Sequence, residues 1–486
     1  MLCHPSREEF VNLAQTYPLV PVWTKVLADR ETPVSAFEKL VGADPGFLLE
    51  SVEGGENWAR WSFIGWDPLF TLTSHEGRIE SQQPVSSPDP LSALEELVAR
   101  VSAPDLPGLP PLHSGLVGYL GYDTVRYIEH LPNRPPDDRG LPEMSWQAVG
   151  SLAAFDRVSQ SLTLVRNVLV GDDPEAEYAA AINALERATN RLGHSRPYQA
   201  LSFERTHGDQ PHHSSTMSRA EFQAAVRSAK DSIVAGDAFQ IVLSQRLKMP
   251  FAGDPFVVYR WLRVVNPSPY LFFYRTPEVA IAGSSPELMT RVRDRQVFSR
   301  PIAGTRPRGE TPDRDLALEE ELRADPKEQA EHVMLLDLAR NDLGRVCEFG
   351  SVSVDELMVV ERYSHVMHLV SGVSGKLRVE VGPVDVLRAT FPHGTVSGAP
   401  KVAAMEIIDH LEPVARGPYA GAVGYIDFSG NVDTAICLRT VVMADGQAWV
   451  QAGAGIVADS DPGLEYEETM NKAAAGLAAV EAASHE

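Results

Sequence analysis

The amino-acid sequence predicts an α+β protein in which large mixed or antiparallel β-sheets are flanked by helices. Short β-like runs, such as WSFIGW at 61–66 and SLTLVRNVLV at 161–170, alternate with helical runs, such as 174–192. The chain has 486 residues, which is too long for one small core. This length indicates two or three domains, or one large bipartite fold.

Charge and cysteine content narrow the classes of function. The formal net charge is −23, from 43 basic and 66 acidic residues, which argues against a nucleic-acid partner because such binding requires a basic surface. An anionic small substrate stays possible where positive charge is concentrated locally. Cys3, Cys347 and Cys437 are odd in number and far apart, and show neither a disulfide framework nor zinc spacing. A reducing cytoplasm is therefore the expected location.

The sequence shows no targeting or membrane segment. The start, MLCHPSREEF, lacks the basic and apolar regions of a signal peptide. No apolar run approaches the roughly 18 residues of a membrane-spanning helix. We therefore expect no membrane association.

A polar, turn-rich stretch at 193–217 is interpreted as a linker. It predicts an N-terminal region at 1–205 and a second domain at 206–486. The second domain opens with Ser218 as a helix N-cap and Glu221 three residues later, which is a capping box. The two halves contain one weakly similar segment each, since GLVGYL at 115–120 resembles GAVGYI at 421–426. Chance explains a similarity of six residues equally well.

Two segments, 325–346 and 459–483, are predicted to be helices that each carry two glutamates on one face. Asp325 caps the first helix, and Asp461 or Asp459 caps the second. Solvated helix faces are the alternative interpretation for either pair alone, but the apolar setting of both helices favours a site. Carboxylates from two helices suit Mg²⁺. The acidic residues and a lysine one turn further on are Glu328, Glu331, Glu465, Glu468 and Lys472.

Several other segments are compatible with an anionic ligand. PIAGTRPRG at 301–309 is expected to be a tightly turned loop, and 391–410 is expected to be a turn that feeds a helix near Pro400. An ordinary capped turn is the alternative for the second segment. Arg439 is predicted to lie in an apolar strand, where a buried guanidinium needs an anion.

Two further patterns are weaker. QAGAGIVADSDP at 451–462 contains a G-x-G-x-x-A match, but no helix follows directly, so the glycines are interpreted as sites of close backbone approach. His365 and His368 are predicted to lie on opposite faces of one strand and so cannot share a metal. His332 and His393 have no partner recognisable in the sequence.

Taken together, these stretches resemble the chorismate-utilising enzymes, and in particular the large aminase subunits of anthranilate synthases. The matching segments cover most of 218–475 in family order, and LLES at 48–51 matches the N-terminal region. They include SSPELM (284–289), PIAGTRPRG (301–309), EHVMLLDLARND (331–342), FPHGTVSGAPK (391–401), GAVGYIDFSG (421–430), AGAGIV (452–457) and the E-x-x-E-T-x-N-K run (465–472). The resemblance implies the chorismate-utilising (anthranilate synthase) fold.

The resemblance also implies a reaction and its residues. Chorismate, ammonia and Mg²⁺ would give anthranilate and pyruvate, the first step of tryptophan synthesis. Glu331 and Glu468 match the metal ligands, Glu328 and Glu465 match supporting carboxylates, and Glu287 matches the acid that protonates the leaving hydroxyl. His368 matches a catalytic histidine. The positions implied to bind substrate are Gly304, Thr305, Thr395, Tyr419, Arg439, Gly453, Ala454, Gly455 and Lys472.

Two positions separate the members of the family. Ala303 stands where aminodeoxychorismate synthases are expected to carry a nucleophilic lysine, and Gln240 stands where isochorismate synthases are expected to carry a lysine base. The nitrogen is therefore expected to arrive as ammonia. No cysteine has the glycine-rich setting of a glutaminase, so a separate glutamine amidotransferase subunit is the implied partner.

Feedback inhibition by tryptophan is the last implication. Ser51 in LLES, together with Pro269, Tyr270 and Leu271 in NPSPYLFF (266–273), matches the family's inhibitor-binding segments. An ordinary core strand and a turn are the alternatives. Two alternative functions are retained: aminodeoxychorismate synthase component I, and a catalytically silent tryptophan-binding regulator on the same scaffold.

Overall fold

The computed structural model describes residues 1–51, 60–197, 200–201, 213–363 and 366–485. Residues 198–199 and 202–212 of the predicted linker at 193–217 lie outside the described residues, as does His365. Within these ranges, no helix combines the length and the apolar character needed to cross a membrane.

Most helices begin with an Asp, Thr or Ser N-cap, and in many a proline follows at once. Pro174, Pro326 and Pro462 open three of them, because proline fixes φ for the first turn and the missing N–H has no helical partner there. The helices are α1 (Arg7–Leu13), α2 (Pro33–Leu40), α3 (Pro90–Arg100), α4 (Pro174–Gly193), α5 (Arg219–Ala235), α6 (Pro255–Val265), α7 (Pro312–Ala324), α8 (Pro326–Gly344), α9 (Pro383–Thr390), α10 (Gly394–Ser397), α11 (Lys401–Leu411) and α12 (Pro462–Ser484), with a 3₁₀ helix at Tyr122–Tyr127.

Strands are distributed along the described chain. They are β1 (Leu19–Leu27), β2 (Gly46–Glu50), β3 (Trp61–Trp66), β4 (Thr71–His75), β5 (Arg78–Ser81), β6 (Leu116–Leu120), β7 (Met144–Ala148), β8 (Ser151–Asp156), β9 (Ser161–Leu169), β10 (Ser214–Ser215), β11 (Gln240–Pro250), β12 (Tyr270–Arg275), β13 (Ala280–Ser285), β14 (Leu288–Arg293), β15 (Gln296–Ser299), β16 (Ile302–Pro307), β17 (Ser353–Arg362), β18 (Val366–Lys376), β19 (Gly398–Ala399), β20 (Ala422–Ile426), β21 (Val432–Ile436), β22 (Thr440–Ala444) and β23 (Gln447–Ile456).

Two large sheets contain all of these strands, and their pairings are antiparallel. The first sheet has the order β1-β9-β8-β3-β2-β12-β13-β22-β23-β11-β10, with β19 beside β11. The second has the order β16-β18-β15-β14-β21-β20-β6-β7-β4-β5, with β17 beside β18. The predicted α+β class with large sheets and flanking helices is confirmed.

Both sheets run across the predicted division near residue 205. β2 pairs with β12 in the first sheet, and β6 pairs with β20 in the second. The two halves therefore share their sheets, and the division into 1–205 and 206–486 stays a prediction about sequence organisation.

The resembling segments GLVGYL and GAVGYI are neighbouring strands of the second sheet. They form β6 and β20, with Gly118 opposite Gly424. A Cβ atom at Gly118 would lie 2.0 Å from the carbonyl oxygen of Ser145, and one at Gly424 would lie 2.1 Å from that of Asp433. Glycine is required at both places because the backbones approach this closely.

The sheets pack face to face, and helices cover their outer surfaces. Tyr119 of the second sheet meets Tyr274 of the first, with ring centroids 6.0 Å apart at 81°. A shared apolar cluster between the sheets includes both tyrosines. A second cluster joins the first sheet to α6 and α12, and a third joins the second sheet to α3, α8 and α9. The fold is thus layered as helices, sheet, sheet and helices.

Two local predictions are wrong. The segment 301–309 is mainly strand β16, paired with β18 around an irregularity at Gly304, because the partner strand satisfies its backbone. Arg439 lies between β21 and β22, not within a strand, and has a left-handed φ of 49°. The chain reverses at this point to pass from the second sheet to the first, which requires a break in the strand.

Candidate active site

A cavity of about 630 Å³ opens where the two sheets meet α8, α10 and α12. Strands β11, β16, β18 and β23 and the turn before β22 supply its other walls. Helices α8 and α12, each capped by an aspartate and opened by a proline, direct their first turns towards it. Elements from distant parts of the sequence therefore converge on one space.

Nearly all the predicted catalytic, substrate and metal positions line this cavity. They are Glu287, Gly304, Thr305, Glu328, Glu331, His368, Thr395, Tyr419, Arg439, Gly453, Gly455, Glu465, Glu468 and Lys472. Ala454 does not line it, because successive strand residues point to opposite faces. Its methyl group is buried in another apolar cluster, with Ile241 and Leu243.

Glu287 is a buried carboxyl group at one wall of the cavity. Its side chain is 4% exposed, and the Thr395 hydroxyl donates a hydrogen bond of 2.7 Å to its Oε1. Burial raises the pKa of Glu287 to about 8, although the Thr395 hydroxyl and the Ile302 N–H act in the opposite direction. Glu287 therefore holds a proton at neutral pH.

Glu331 faces the cavity from α8 and is held by β11. The Gln240 amide Nε2 donates a hydrogen bond of 3.0 Å to Glu331 Oε1. Burial raises the pKa of Glu331, and the charges of Glu328 and Glu468 raise it further. The carboxylates of α8 and α12 are thus close enough to repel one another across the cavity.

The other acidic side chains have polar or cationic neighbours. Arg306 donates to Glu328 at 3.0 Å, and Lys472 pairs with Glu468 at 2.5 Å. Burial raises the pKa of Glu465, and the charge of Glu468 acts in the same direction. Across the described ranges, no group of three or more His, Cys, Asp or Glu side chains is gathered closely enough to hold a metal ion.

The donor chemistry nevertheless fits a hard divalent cation. The charge of Glu468 raises the pKa of the half-buried Glu331 and of the half-buried Glu465, and a cation among these carboxylates would relieve that repulsion. Oxygen donors are the ligands that Mg²⁺ takes, and it commonly uses one or two carboxylates and retains waters. Glu331 and Glu468 both line the cavity with carboxylate oxygens.

Gly304 allows β16 to pass close to the acidic helix. Its φ is 71°, and a Cβ atom there would lie 3.1 Å from Glu328 Oε2. A side chain at this position would press on the carboxylate and strain the backbone.

Arg439 brings positive charge to the cavity from the turn before β22. Among the described residues, its guanidinium makes no hydrogen bond and no ion pair, and burial lowers its pKa. The charge of Glu468 acts in the opposite direction and raises the pKa of Arg439. A guanidinium that lines a cavity and is not paired with a protein carboxylate among the described residues is suited to bind a carboxylate of a ligand.

His368 lies on β18 beside the strand that carries Ala303. Its Nδ1 is 3.0 Å from Thr305 Oγ1 and 3.2 Å from the Gly304 carbonyl oxygen. Burial lowers the pKa of His368, so the ring is neutral near neutral pH. Ala303 lines the cavity with its methyl group and is 7% exposed, which leaves space where a longer side chain would project.

The four predicted inhibitor residues line a separate cavity of about 470 Å³. They are Ser51, Pro269, Tyr270 and Leu271. Aromatic side chains of Trp61, Phe63 and Phe272 also line it. Pro269 lines both cavities, so the two spaces meet at the residue that precedes β12.

The structure adds residues whose roles the sequence did not reveal. Gln240 contacts Glu331, Arg306 holds Glu328, and His393 lies beside Thr395 and Glu287. His393 is the N-cap of α10, but histidine is not among the residues that favour this position, so the sequence carried no signal for it. The contact with Glu287 spans over a hundred residues and has no local signal.

Comparison with known proteins agrees with this geometry. The family model described as chorismate binding enzyme matches residues 45–478. Anthranilate synthase component 1 of Acetivibrio thermocellus is 45% identical over 490 residues, which cover 99% of each chain.

Solved structures show the same fold. The crystal structure of anthranilate synthase component I from Streptococcus pneumoniae TIGR4 superimposes with a TM-score of 0.77 and 36% identity, covering 93% of this chain and 98% of that one. MenF, the menaquinone-specific isochorismate synthase from Escherichia coli, has a TM-score of 0.71 at 21% identity, with 98% of each chain covered. At that identity the second likeness concerns the fold alone.

Proposed function

The chain belongs to the chorismate-binding enzymes, and we propose that it converts chorismate and ammonia into anthranilate and pyruvate, as anthranilate synthases do. The observation that carries this proposal is the composition of the main cavity. Acidic side chains of two helices, the proton-bearing Glu287 and the guanidinium of Arg439 face one space of about 630 Å³. That arrangement suits a small dicarboxylic ring that loses a hydroxyl group.

Substrate binding is assigned to Arg439 and Tyr419 and to the glutamates of α8 and α12. Arg439 and Tyr419 would hold a substrate carboxylate, with the backbone at Gly453 and Gly455 close by. Glu331 and Glu468 would hold Mg²⁺, with Glu328 and Glu465 in support. When bound, Mg²⁺ supplies neutralisation of a substrate carboxylate and assistance to departure of the ring hydroxyl.

Proton transfer is assigned to Glu287. Because burial raises its pKa to about 8, the carboxyl is protonated near neutral pH and can give its proton to the leaving hydroxyl. His368, neutral and placed by Thr305, is assigned to the elimination that releases pyruvate.

The nitrogen is assigned to free ammonia. Ala303 offers a methyl group and Gln240 an amide, so neither position supplies an amine. Lys472 lines the cavity, but its ammonium group is bound by Glu468 and by the Gly453 carbonyl oxygen at 3.1 Å. Ala303, which cannot act as a nucleophile, disfavours aminodeoxychorismate synthase as the alternative.

A separate glutaminase subunit is the proposed ammonia source. A glutaminase of the usual class uses a reactive thiolate, but burial raises the pKa of Cys3, of Cys437 and, to about 11, of Cys347. None of the three is set up as a nucleophile.

Feedback inhibition by tryptophan is proposed for the second cavity. Ser51, Tyr270 and Leu271 line it, and the aromatic wall suits an indole. Pro269 belongs to both cavities, so a ligand in the second can alter the first through this segment. Such inhibition requires that the ligand bind the inactive arrangement more tightly.

One assay tests the proposed reaction against the silent-regulator alternative. Purified protein is mixed with chorismate, Mg²⁺ and ammonium chloride, and anthranilate fluorescence is followed. We expect fluorescence to rise, and to rise only when Mg²⁺ is present. A trace that stays flat, even after a glutaminase subunit and glutamine are added, would favour the regulator.

A further inference from the structure

His393, Thr395 and Glu287 form a chain of short contacts behind the cavity wall. Thr395 Oγ1 lies 2.7 Å from Glu287 Oε1 and 3.1 Å from His393 Nδ1. His393 Nδ1 and Glu287 Oε1 are 3.6 Å apart. The Thr395 hydroxyl therefore stands between a carboxyl group and an imidazole nitrogen.

The tautomer of His393 follows from its position at the N-cap of α10. The backbone N–H of Thr395 donates to Nδ1 at 3.3 Å, and a backbone N–H can only donate. Nδ1 must therefore be an acceptor without a proton. Burial, and to a lesser extent Lys401, lower the pKa of His393 to about 3, so the ring is neutral throughout the working range of pH.

A neutral acceptor at this place gives the Thr395 hydroxyl two possible roles. When Glu287 is ionised, the hydroxyl donates its proton to the carboxylate. When Glu287 is protonated, the carboxyl donates to Thr395 Oγ1, and the hydroxyl needs another acceptor for its own proton. His393 Nδ1, at 3.1 Å, is that acceptor, and it then shares its lone pair between this hydroxyl and the longer contact of 3.3 Å from the Thr395 N–H.

We propose that His393 is a positioning residue, whose Nδ1 accepts the Thr395 hydroxyl proton so that Thr395 can accept the proton of neutral Glu287. The inference deepens the proposed function and rests on it, because it concerns how the assigned acid is kept in its acidic form. His393 touches neither the cavity nor the reacting atoms and acts through Thr395.

Several groups around Glu287 oppose its neutral form. Lys472 favours the ionised form of Glu287, as does the Ile302 N–H. On the far side of His393, Lys401 is paired with Asp342 at 2.8 Å. A cation and two hydrogen-bond donors thus lower the pKa of Glu287, against the effect of burial. By accepting the Thr395 hydroxyl proton, His393 leaves the oxygen of one of those donors free to accept from the neutral carboxyl.

Infrared difference spectroscopy of the ligand-free protein tests the inference directly. The C=O stretch of the protonated carboxyl is titrated with pH and assigned to Glu287 by its loss in Glu287→Gln. We expect the midpoint near the pKa of about 8. In His393→Leu it should fall by about one pH unit, because one neutral hydrogen bond to the protonated state is lost.

Two further variants define the sign of the effect. His393→Asn places an amide oxygen near the position of Nδ1 and keeps a good N-cap, so its midpoint should stay close to that of the unaltered protein. Thr395→Val removes the hydroxyl through which His393 acts, so adding His393→Leu to Thr395→Val should leave the midpoint of that variant unchanged. An unchanged midpoint in His393→Leu would overturn the inference. Should that variant not fold, an unchanged midpoint in the smaller change His393→Ala would overturn it instead.

Kinetics separate this inference from the proposed function. At a constant concentration of free NH₃, the alkaline loss of kcat should move to lower pH in His393→Leu and stay in place in His393→Asn. Absence of anthranilate from the unaltered protein would contradict the proposed function, while the infrared titration would still decide the role of His393.

Discussion

The amide of Gln240 donates a hydrogen bond of 3.0 Å to the carboxylate of Glu331, which joins strand β11 to helix α8. Gln240 is 3% exposed, and its Oε1 has no hydrogen-bond partner among the described residues. Because the carboxylate only accepts, the amide orientation is fixed. Glu331 is thereby held in one position at the cavity wall.

Removing this contact should weaken activation by Mg²⁺. In Gln240→Leu we expect the Mg²⁺ concentration for half-maximal anthranilate formation to rise about tenfold, because partners behind a ligand commonly carry that much affinity. Titration of activity with Mg²⁺ measures it. Gln329→Leu, an exposed change on the same helix, is the matched control, and equal Mg²⁺ dependence in the two variants would contradict the assignment.

The paired carboxylates should be indispensable. Glu331→Gln and Glu468→Gln each keep the shape and remove the charge, so we expect Mg²⁺-dependent turnover to fall below about one per cent, as for loss of a several kcal/mol electrostatic contribution. Anthranilate fluorescence at saturating Mg²⁺ measures it. Exposed Glu320→Gln is the control. A near-normal rate in either cavity variant would show that the metal binds elsewhere.

Glu287 should make folding stability depend on pH. Its pKa is raised from 4.5 to about 8, so between these values the unfolded chain releases a proton that the folded protein retains. The stability contributed by the neutral buried carboxyl is complete below 4.5 and is lost as pH rises to about 8.

Glu287→Gln should remove the decline in the free energy of unfolding that this carboxyl causes, which is on the order of a few kcal/mol. Urea unfolding across the same pH range measures it, with Glu320→Gln as the control that keeps the decline. A slope in Glu287→Gln equal to that of the unaltered protein would show that the carboxyl is ionised in the folded state.

Local patterns in the sequence predicted the elements that carry the site. The capping box at Ser218 and the Asp-Pro openings at Asp325 and Asp461 are observed where expected. These signals are short-range, because a cap and its helix lie within four residues. The i, i+3 spacing likewise placed each glutamate pair on one helix face.

Contacts between distant segments were beyond such patterns. Gln240 meets Glu331, and Thr395 meets Glu287, only because the two sheets and α8 converge. The same convergence explains why Arg439 leaves its predicted strand, since the chain turns there from one sheet to the other. Periodicity describes one element at a time and carries no information about such junctions.

Substitution in the second cavity should separate inhibition from catalysis. Ser51→Phe fills space beside the aromatic wall, so we expect the tryptophan concentration for half-inhibition to rise at least about tenfold, as for loss of roughly 1.4 kcal/mol of binding. Uninhibited activity should change little. Inhibition curves measure the tryptophan concentration for half-inhibition, and exposed Ser228→Phe is the control. Unchanged inhibition in Ser51→Phe would show that tryptophan binds elsewhere.

The source of the nitrogen tests the account most directly. The protein is incubated with chorismate, Mg²⁺ and ¹⁵N-ammonium, and both the product and the intact protein are weighed by mass spectrometry. We predict anthranilate that carries ¹⁵N and a protein of unchanged mass, because Ala303 and Gln240 supply no amine. A protein covalently joined to the substrate ring, or a hydroxylated product in place of an aminated one, would contradict the account.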